Sequence, residues 1–309
     1  MIVQKFKYTI WITITILALG IIFGIANGGL NIGIDFTGGS ITTVEMGQSF
    51  EVEDISQVLE DMGIQNAPIV KSGDNWTQAE IRVQVSQAES EAQADMSSDL
   101  LAGIQEIYPE ATIISQDKVG GVASSELVLN AFLAVMIACG LMLVYIWIRF
   151  ELYPGVGAIV ALLHDVLIMT AVMAIFQVQI NSSYIAACLT IVGYSINDTI
   201  VLYDRIRDNN KLMGLKKHSR EEIANISFRQ TLGRTINTSL TTIIMVTFLY
   251  IFGVQSIKEF AFPLIIGLLS GTYSSMFIAV PISTRLQEKN IDHKKLKKKS
   301  AQKAVKASK

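Results

Sequence analysis

Six stretches of this chain, at roughly 8–27, 127–148, 155–177, 183–203, 235–253 and 260–284, are apolar over the ~20 residues that a helix needs to cross about 30 Å of hydrocarbon. Lipid offers no water to a backbone N–H or C=O, so each such run must close its own hydrogen bonds and become a helix. Composition agrees, because 50% of the 309 residues are hydrophobic and only 17% are charged. That balance is too apolar for a soluble domain of this length. The first run lacks a small-residue cleavage site and outlasts a signal peptide's apolar segment, so it is expected to stay as an uncleaved span.

Orientation follows from the cations. Lys5, Lys7, Arg149, the set from Arg205 to Arg234 and the tail beyond Thr284 hold 21 of the 25 lysines and arginines. The positive-inside rule then puts both termini in the cytoplasm and residues 28–125 outside, which suits an even number of spans. The outer stretch carries 16 acidic and 3 basic side chains, whereas the tail 285–309 is lysine-rich. Such a tail reads as a topology signal and a weak contact for anionic lipid, not as a nucleic-acid site. Cys139 and Cys188 both fall within predicted spans and make neither an exported disulfide nor a metal motif.

Within the outer stretch, residues 31–118 read as strand, helix, strand, strand, helix, strand. Ser40–Met46 is β-branched and alternating. Val52, Ile55, Leu59 and Met62 recur at helical spacing, with Ser49 as the expected N-cap and Gly63 as the stop. A short strand over 65–71, a turn over 72–75 and an alternating Ile81, Val83, Val85 follow. Leu100, Leu101, Ile104 and Ile107 form a helical stripe broken at Pro109, and residues 111–118 make the last strand. Trp76, beside a turn, is expected to pack at the start of the third strand, with a role as a contact residue as the alternative. The order is that of a split βαβ, ferredoxin-like sheet. Without histidine or any nucleophile–base or metal-ligand cluster, this region reads as a binding or mechanical domain rather than a catalytic one.

Expected domains are therefore 1–27 (N-terminus and first span), 28–125 (exported), 126–284 (five further spans with a cytoplasmic loop at 204–234) and 285–309 (basic tail). The fold class is a polytopic α-helical membrane protein with six transmembrane helices and an exported α+β ferredoxin-like domain between the first two.

Polar groups inside the spans carry the functional signal. Asp198, beside Asn197, interrupts the fourth span, where an ionisable group costs roughly 2.5–3.5 kcal/mol on insertion scales. His164 and Asp165 lie near the middle of the third. Arg234 opens the fifth, and Thr231, Arg234, Thr238 and Thr241 share one helical face. A stripe of that kind belongs against other helices or water. If their helices are neighbours, Asp198 and Arg234 make either a fixed ion pair or a proton-linked site, in which burial and a nearby cation tune the acid in opposite directions. Asp165 is a third proton-linked candidate, with a packing role for its His164 neighbour as the alternative. No P-loop is present, and no cofactor is implied beyond protons as a coupling ion.

Three motifs now resemble one family. Asn31-Ile-Gly-Ile-Asp-Phe-Thr-Gly-Gly39, directly after the first span, is similar to the signature that SecD and SecF proteins carry there. Gly193-Tyr-Ser-Ile-Asn-Asp-Thr-Ile-Val-Leu-Tyr-Asp-Arg-Ile-Arg207 resembles the SecF fourth-span motif, and Thr231–Thr242 the start of its fifth span; the His164–Asp165 pair also matches. The resemblance covers nearly the whole chain. It implies a bacterial inner-membrane subunit of the Sec protein-export translocase, half of a twelve-span complex with SecD in the RND superfamily. By the same resemblance Asp198 and Arg234 are the proton-linked pair, Gly33, Asp35, Gly38 and Gly39 the motif after helix 1, and the partners SecD, the SecY–SecE–SecG channel, the preprotein and, as an accessory, YajC. Val119-Gly-Gly-Val-Ala-Ser-Ser125 departs from the family's Val-Gly-Pro junction and makes a more flexible hinge before the second span. A passive translocon scaffold and an RND-like exporter of small molecules are the competing functions. The second suits the chain less well, because one small outer domain and six spans offer no large porter cavity.

Overall fold

The structure, a computed structural model, describes residues 2–64, 67–73, 76–83, 93–119, 121–149, 152–213 and 218–290. They fall into two compact units: 32–134 with the loop Gln179–Ser182, and the remaining described residues.

In the first unit a short helix α2 (Ile34–Thr37) leads into β1 (Gly39–Glu45), α3 (Val52–Asp61), β2 (Ile69–Ser72), β3 (Gln78–Val83), α4 (Gln93–Ile107) and β4 (Thr112–Val119). The strands pair antiparallel in the order β2-β3-β1-β4, which is the split βαβ arrangement the sequence pattern implies. Ser40 lies opposite Val83 and Val44 opposite Ala79, while a bulge at Thr43/Val44 shifts the register against β4. The strand period of two sends Val44, Ala79, Ile81 and Val83 to one side. There they bury against Ile55, Val58 and Leu59 of α3 and Leu100 and Ile104 of α4.

Gly63 ends α3 as expected, in the left-handed region at φ 79°. Its N–H donates to the Glu60 carbonyl and that of Ile64 to the Leu59 carbonyl, the paired bonds of a Schellman stop. The start of α3 differs from the sequence reading. Glu51, not Ser49, is the N-cap, and it caps without a side-chain hydrogen bond. Phe50 is the reason: its ring is buried edge-on to Tyr108, so the chain stays extended until that ring is placed. The Tyr108 hydroxyl donates to Asp54 at 2.5 Å, and burial first, then that bond, pushes it above the usual tyrosine range. Trp76 also differs, being 63% exposed with φ 60° instead of packed under the strand. Residues 65–66, 74–75 and 85 and the part 291–309 of the basic tail, named above, lie outside the described residues, as does Gly120 between β4 and α5.

The second unit holds the apolar helices α1 (Ile2–Ala26), α5 (Gly121–Arg149, from residue 135), α6 (Leu152–Phe176), α7 (Ser182–Met213, from residue 183), α8 (Arg220–Phe252) and α9 (Gln255–Ser274). α9 passes through a π-helical turn at Ser275–Ala279 and stays helical to Asn290. Among the described residues, six helices are long and apolar enough to cross a membrane. Small residues set their spacing: a Cβ on Gly20 of α1 would stand 2.6 Å from the Ala171 Cβ of α6. On α9, Gly267 and Gly271 bring the backbone against Ile191 and Ser195 of α7. α7 and α8 outlast their apolar runs, so most of the stretch 204–234 is helix. Ser219 caps α8 by accepting from the Glu222 N–H at 3.1 Å, ahead of two first-turn acids.

Candidate functional site

Asp165, near the middle of α6, is fully buried, and four donors saturate its carboxyl group. His164 Nδ1 (3.1 Å) and the Ser270 hydroxyl (2.7 Å) reach Oδ1; the hydroxyls of Ser195 (2.6 Å) and Ser274 (2.8 Å) reach Oδ2. Three helices meet there, since Ser195 is on α7 and Ser270 and Ser274 stand one turn apart on α9. On its other side the His164 ring meets the Thr13 hydroxyl of α1 at 3.0 Å. Since an acceptor faces Nδ1, that nitrogen carries the proton, and Thr13 fixes the ring from behind. Immediately after Ser274 the helix widens into its π turn, where Ser275 bonds Thr199 (2.9 Å) and the Ser195 carbonyl (3.1 Å), and the Ala279 carbonyl accepts from Tyr203 (3.0 Å). The Tyr203 hydroxyl of α7 thus takes up one carbonyl of the π turn, and the Ser275 side chain ties the turn to α7.

Asp198 has a different setting. It is half-buried on α7 and lines a cavity of about 230 Å³ with Asn197, Ser195, Thr238, Ser239, Thr241 and Thr272. Among the described residues its hydrogen bond is a long one, 3.4 Å from the Ser239 hydroxyl, which in turn meets Thr272 at 2.6 Å. Ser195 joins the two acids: its hydroxyl holds Asp165, and the same residue borders the Asp198 cavity. Hydroxyls, an amide and a carboxyl group around a small open space are what water and a mobile proton require.

Among the described residues no direct ion pair joins Arg234 to Asp198, but Arg234 lies within electrostatic reach of that carboxyl group and is exposed on α8 with Asn237, Thr238 and Thr241. Thr231 is buried one turn earlier and bonds the Ser227 carbonyl at 3.1 Å; Thr238 and Thr241 return their hydroxyls to carbonyls four residues back.

Comparison with known proteins decides the family. The family model described as "Protein export membrane protein SecD/SecF, C-terminal" matches residues 100–289. The protein translocase subunit SecF of Haemophilus influenzae is 36% identical over 91% of this chain and 83% of its own length. That of Rickettsia bellii is 33% identical over 94% and 93%. The chain belongs to the SecF family.

A solved structure agrees. SecDF of Thermus thermophilus, described as a translocon-associated membrane protein, is similar at a TM-score of 0.77 and 34% identity over 93% of the chain. The chain spans only 38% of that longer SecDF polypeptide.

The segment Asn31–Gly39 after α1 has a mechanical role. Gly33 donates its N–H to the Ile180 carbonyl at 2.8 Å, and a Cβ at Gly33 would fall 3.0 Å from the Asn181 Cβ. Asp35 accepts from the Ser182 N–H at 2.9 Å and so caps α7 from a distance in sequence of 147 residues. Arg82 on β3 pairs with Glu80 and bonds Gln179 in the same loop. Gly38 and Gly39 have φ of 75° and 143°, conformations that favour glycine, at the turn into β1. The motif is a clasp on the loop 179–182.

Ser195, Ser239, Ser270 and Ser274 went unnoticed in the sequence. Ser270 and Ser274 do stand four apart in the last apolar run, and so on one helical face. A serine in a span more often bonds its own helix, and only knowledge of which helices meet would have turned that signal into a site.

Proposed function

We propose that this chain is a SecF-type accessory subunit of the Sec translocase, using the proton-motive force with a SecD partner to drive late steps of preprotein export. Both termini then lie in the cytoplasm of a bacterial cell whose inner membrane the chain crosses six times. The observation that carries the reading is the Asp198 cavity. An acid in a membrane helix, weakly held and bordered by hydroxyls, can take up and release a proton without breaking the packing around it. One proton crossing 100 mV supplies about 2.3 kcal/mol, enough to bias a modest domain movement.

The partner follows from the surface of α8. Arg234, Asn237, Thr238 and Thr241 are exposed on a helix read as membrane-spanning, and lipid is a poor solvent for them. A SecD half would cover this face and complete the cavity. Exported chains would meet the outer unit after leaving the SecY–SecE–SecG channel, with YajC as an accessory.

Inverted membrane vesicles containing the chain with its SecD partner test the proposal. Asp198→Asn and Arg234→Met should leave the complex assembled and abolish proton-dependent completion of export. Normal export by both variants under a proton gradient would reduce the chain to a scaffold.

A further inference from the structure

A second cavity, of about 510 Å³, lies at the opposite end of α7 from its Ser182 start, and its chemistry is unlike that of the Asp198 site. Arg149 at the end of α5, Arg207 and Lys211 on α7 and Arg220 at the start of α8 contribute four cations to its wall. Among the described residues that line it there is no carboxylate. Asp204 stands beside it and binds Arg149 at 2.9 Å and Arg207 at 3.1 Å, which leaves an excess of positive charge facing the space. Among the described residues the buried Nε–H of Arg207 has no hydrogen-bond partner, and neither has the Asn210 Oδ1 on the same wall. Ser283 and Thr284, from the helical continuation of α9, add hydroxyls, while Tyr203, Ile206 and Pro154 supply apolar wall.

A half-open space with surplus guanidinium groups, an unmatched donor and an apolar side suits a tetrahedral phosphorus anion on an apolar stem. We propose that this cavity binds a phosphate-bearing anion, best supplied by the headgroup of an anionic phospholipid. The size falls in the range of ordinary ligand pockets. Basic pockets between membrane helices on the arginine- and lysine-rich side are where such headgroups are held. The site is separate in composition from the Asp198 cavity, with which it shares no lining residue.

The full-length chain in nanodiscs tests this by native mass spectrometry, with phosphatidylcholine alone or with one fifth phosphatidylglycerol. The wild type should keep one phosphatidylglycerol after release and shed phosphatidylcholine. Lys211→Gln with Arg220→Gln should lower that retention about tenfold; Lys211→Glu alone, which leaves the Arg220–Gln287 bond in place, should lower it severalfold. Inorganic phosphate and glycerol 1-phosphate at millimolar concentration form the second arm. Displacement of the lipid by either supports a phosphate site filled by a headgroup. Binding of inorganic phosphate with no retained lipid supports the phosphate chemistry and moves its source to a free ion. Equal retention of both lipids, or equal retention by wild type and both variants, overturns the proposal.

Discussion

Asp165 and Asp198 are two carboxyl groups in neighbouring spans of one helical unit, and they are held in opposite ways. Asp165 is fully enclosed and receives donors from His164, Ser195, Ser270 and Ser274; Asp198 borders open space and has one long contact from Ser239. An acid with all its lone-pair sites filled by three helices cannot change partners without moving them. An acid beside a cavity can. The difference suits Asp165 to holding α6, α7 and α9 together and leaves Asp198 free for the proton exchange proposed above.

Substitutions can break that division, and the largest effect is expected at Asp165. Asp165→Ala leaves three serines and a histidine without their acceptor, at about 0.6–1.7 kcal/mol for each such bond in a membrane bundle. Unfolding of the purified chain in detergent should show a loss of roughly 2–4 kcal/mol. A loss no greater than that of Asp198→Asn would erase the contrast. Gly33→Ala comes next, because its added methyl group meets the loop at Asn181. It should cost about 1–3 kcal/mol while export by the folded fraction keeps its proton dependence.

Paired serine variants sharpen the comparison on a finer scale. Ser274→Ala removes a 2.8 Å bond to Asp165 and should cost about 1 kcal/mol. Ser239→Ala removes the 3.4 Å contact to Asp198 and the 2.6 Å bond from Thr272, whose hydroxyl keeps the Leu268 carbonyl at 2.8 Å, and should cost about 0.5 kcal/mol in the same melts, less than Ser274→Ala. The smallest effect lies outside both acids. Tyr108 is raised in the folded outer unit, so its neutral form is favoured there; the stability it adds is complete below the unfolded value of about 10 and is lost as pH rises beyond it. Tyr108→Phe should flatten the dependence of stability on pH above 10 in the full chain.

Much of this architecture is legible in the sequence, for reasons that differ by region. Lipid forces helices wherever apolar runs are long enough, so the six spans follow from length alone. In the outer unit the period of two in β1 and β3 and the helical stripe at Val52–Met62 carry the sheet and its covering helices. Ser49 misled because the burial of Phe50, a tertiary event, delays the start of α3. Asp198 was visible by its cost in a membrane. The cradle around Asp165 was not, because Ser195, Ser270 and Ser274 are unremarkable until α7 and α9 are known to meet at Gly267 and Gly271. The neighbourhood of α7 and α8 holds, since Asp198 meets Ser239 and lies within electrostatic reach of Arg234, but no direct ion pair between the two charges is described.

The division between the two acids can be tested by infrared difference spectroscopy on the chain with its SecD partner in membranes, stepping pH and following the carboxyl C=O band. The account predicts a band that comes and goes with pH in the wild type, persists in Asp165→Asn and disappears in Asp198→Asn. A band that survives in Asp198→Asn and is lost in Asp165→Asn would contradict it.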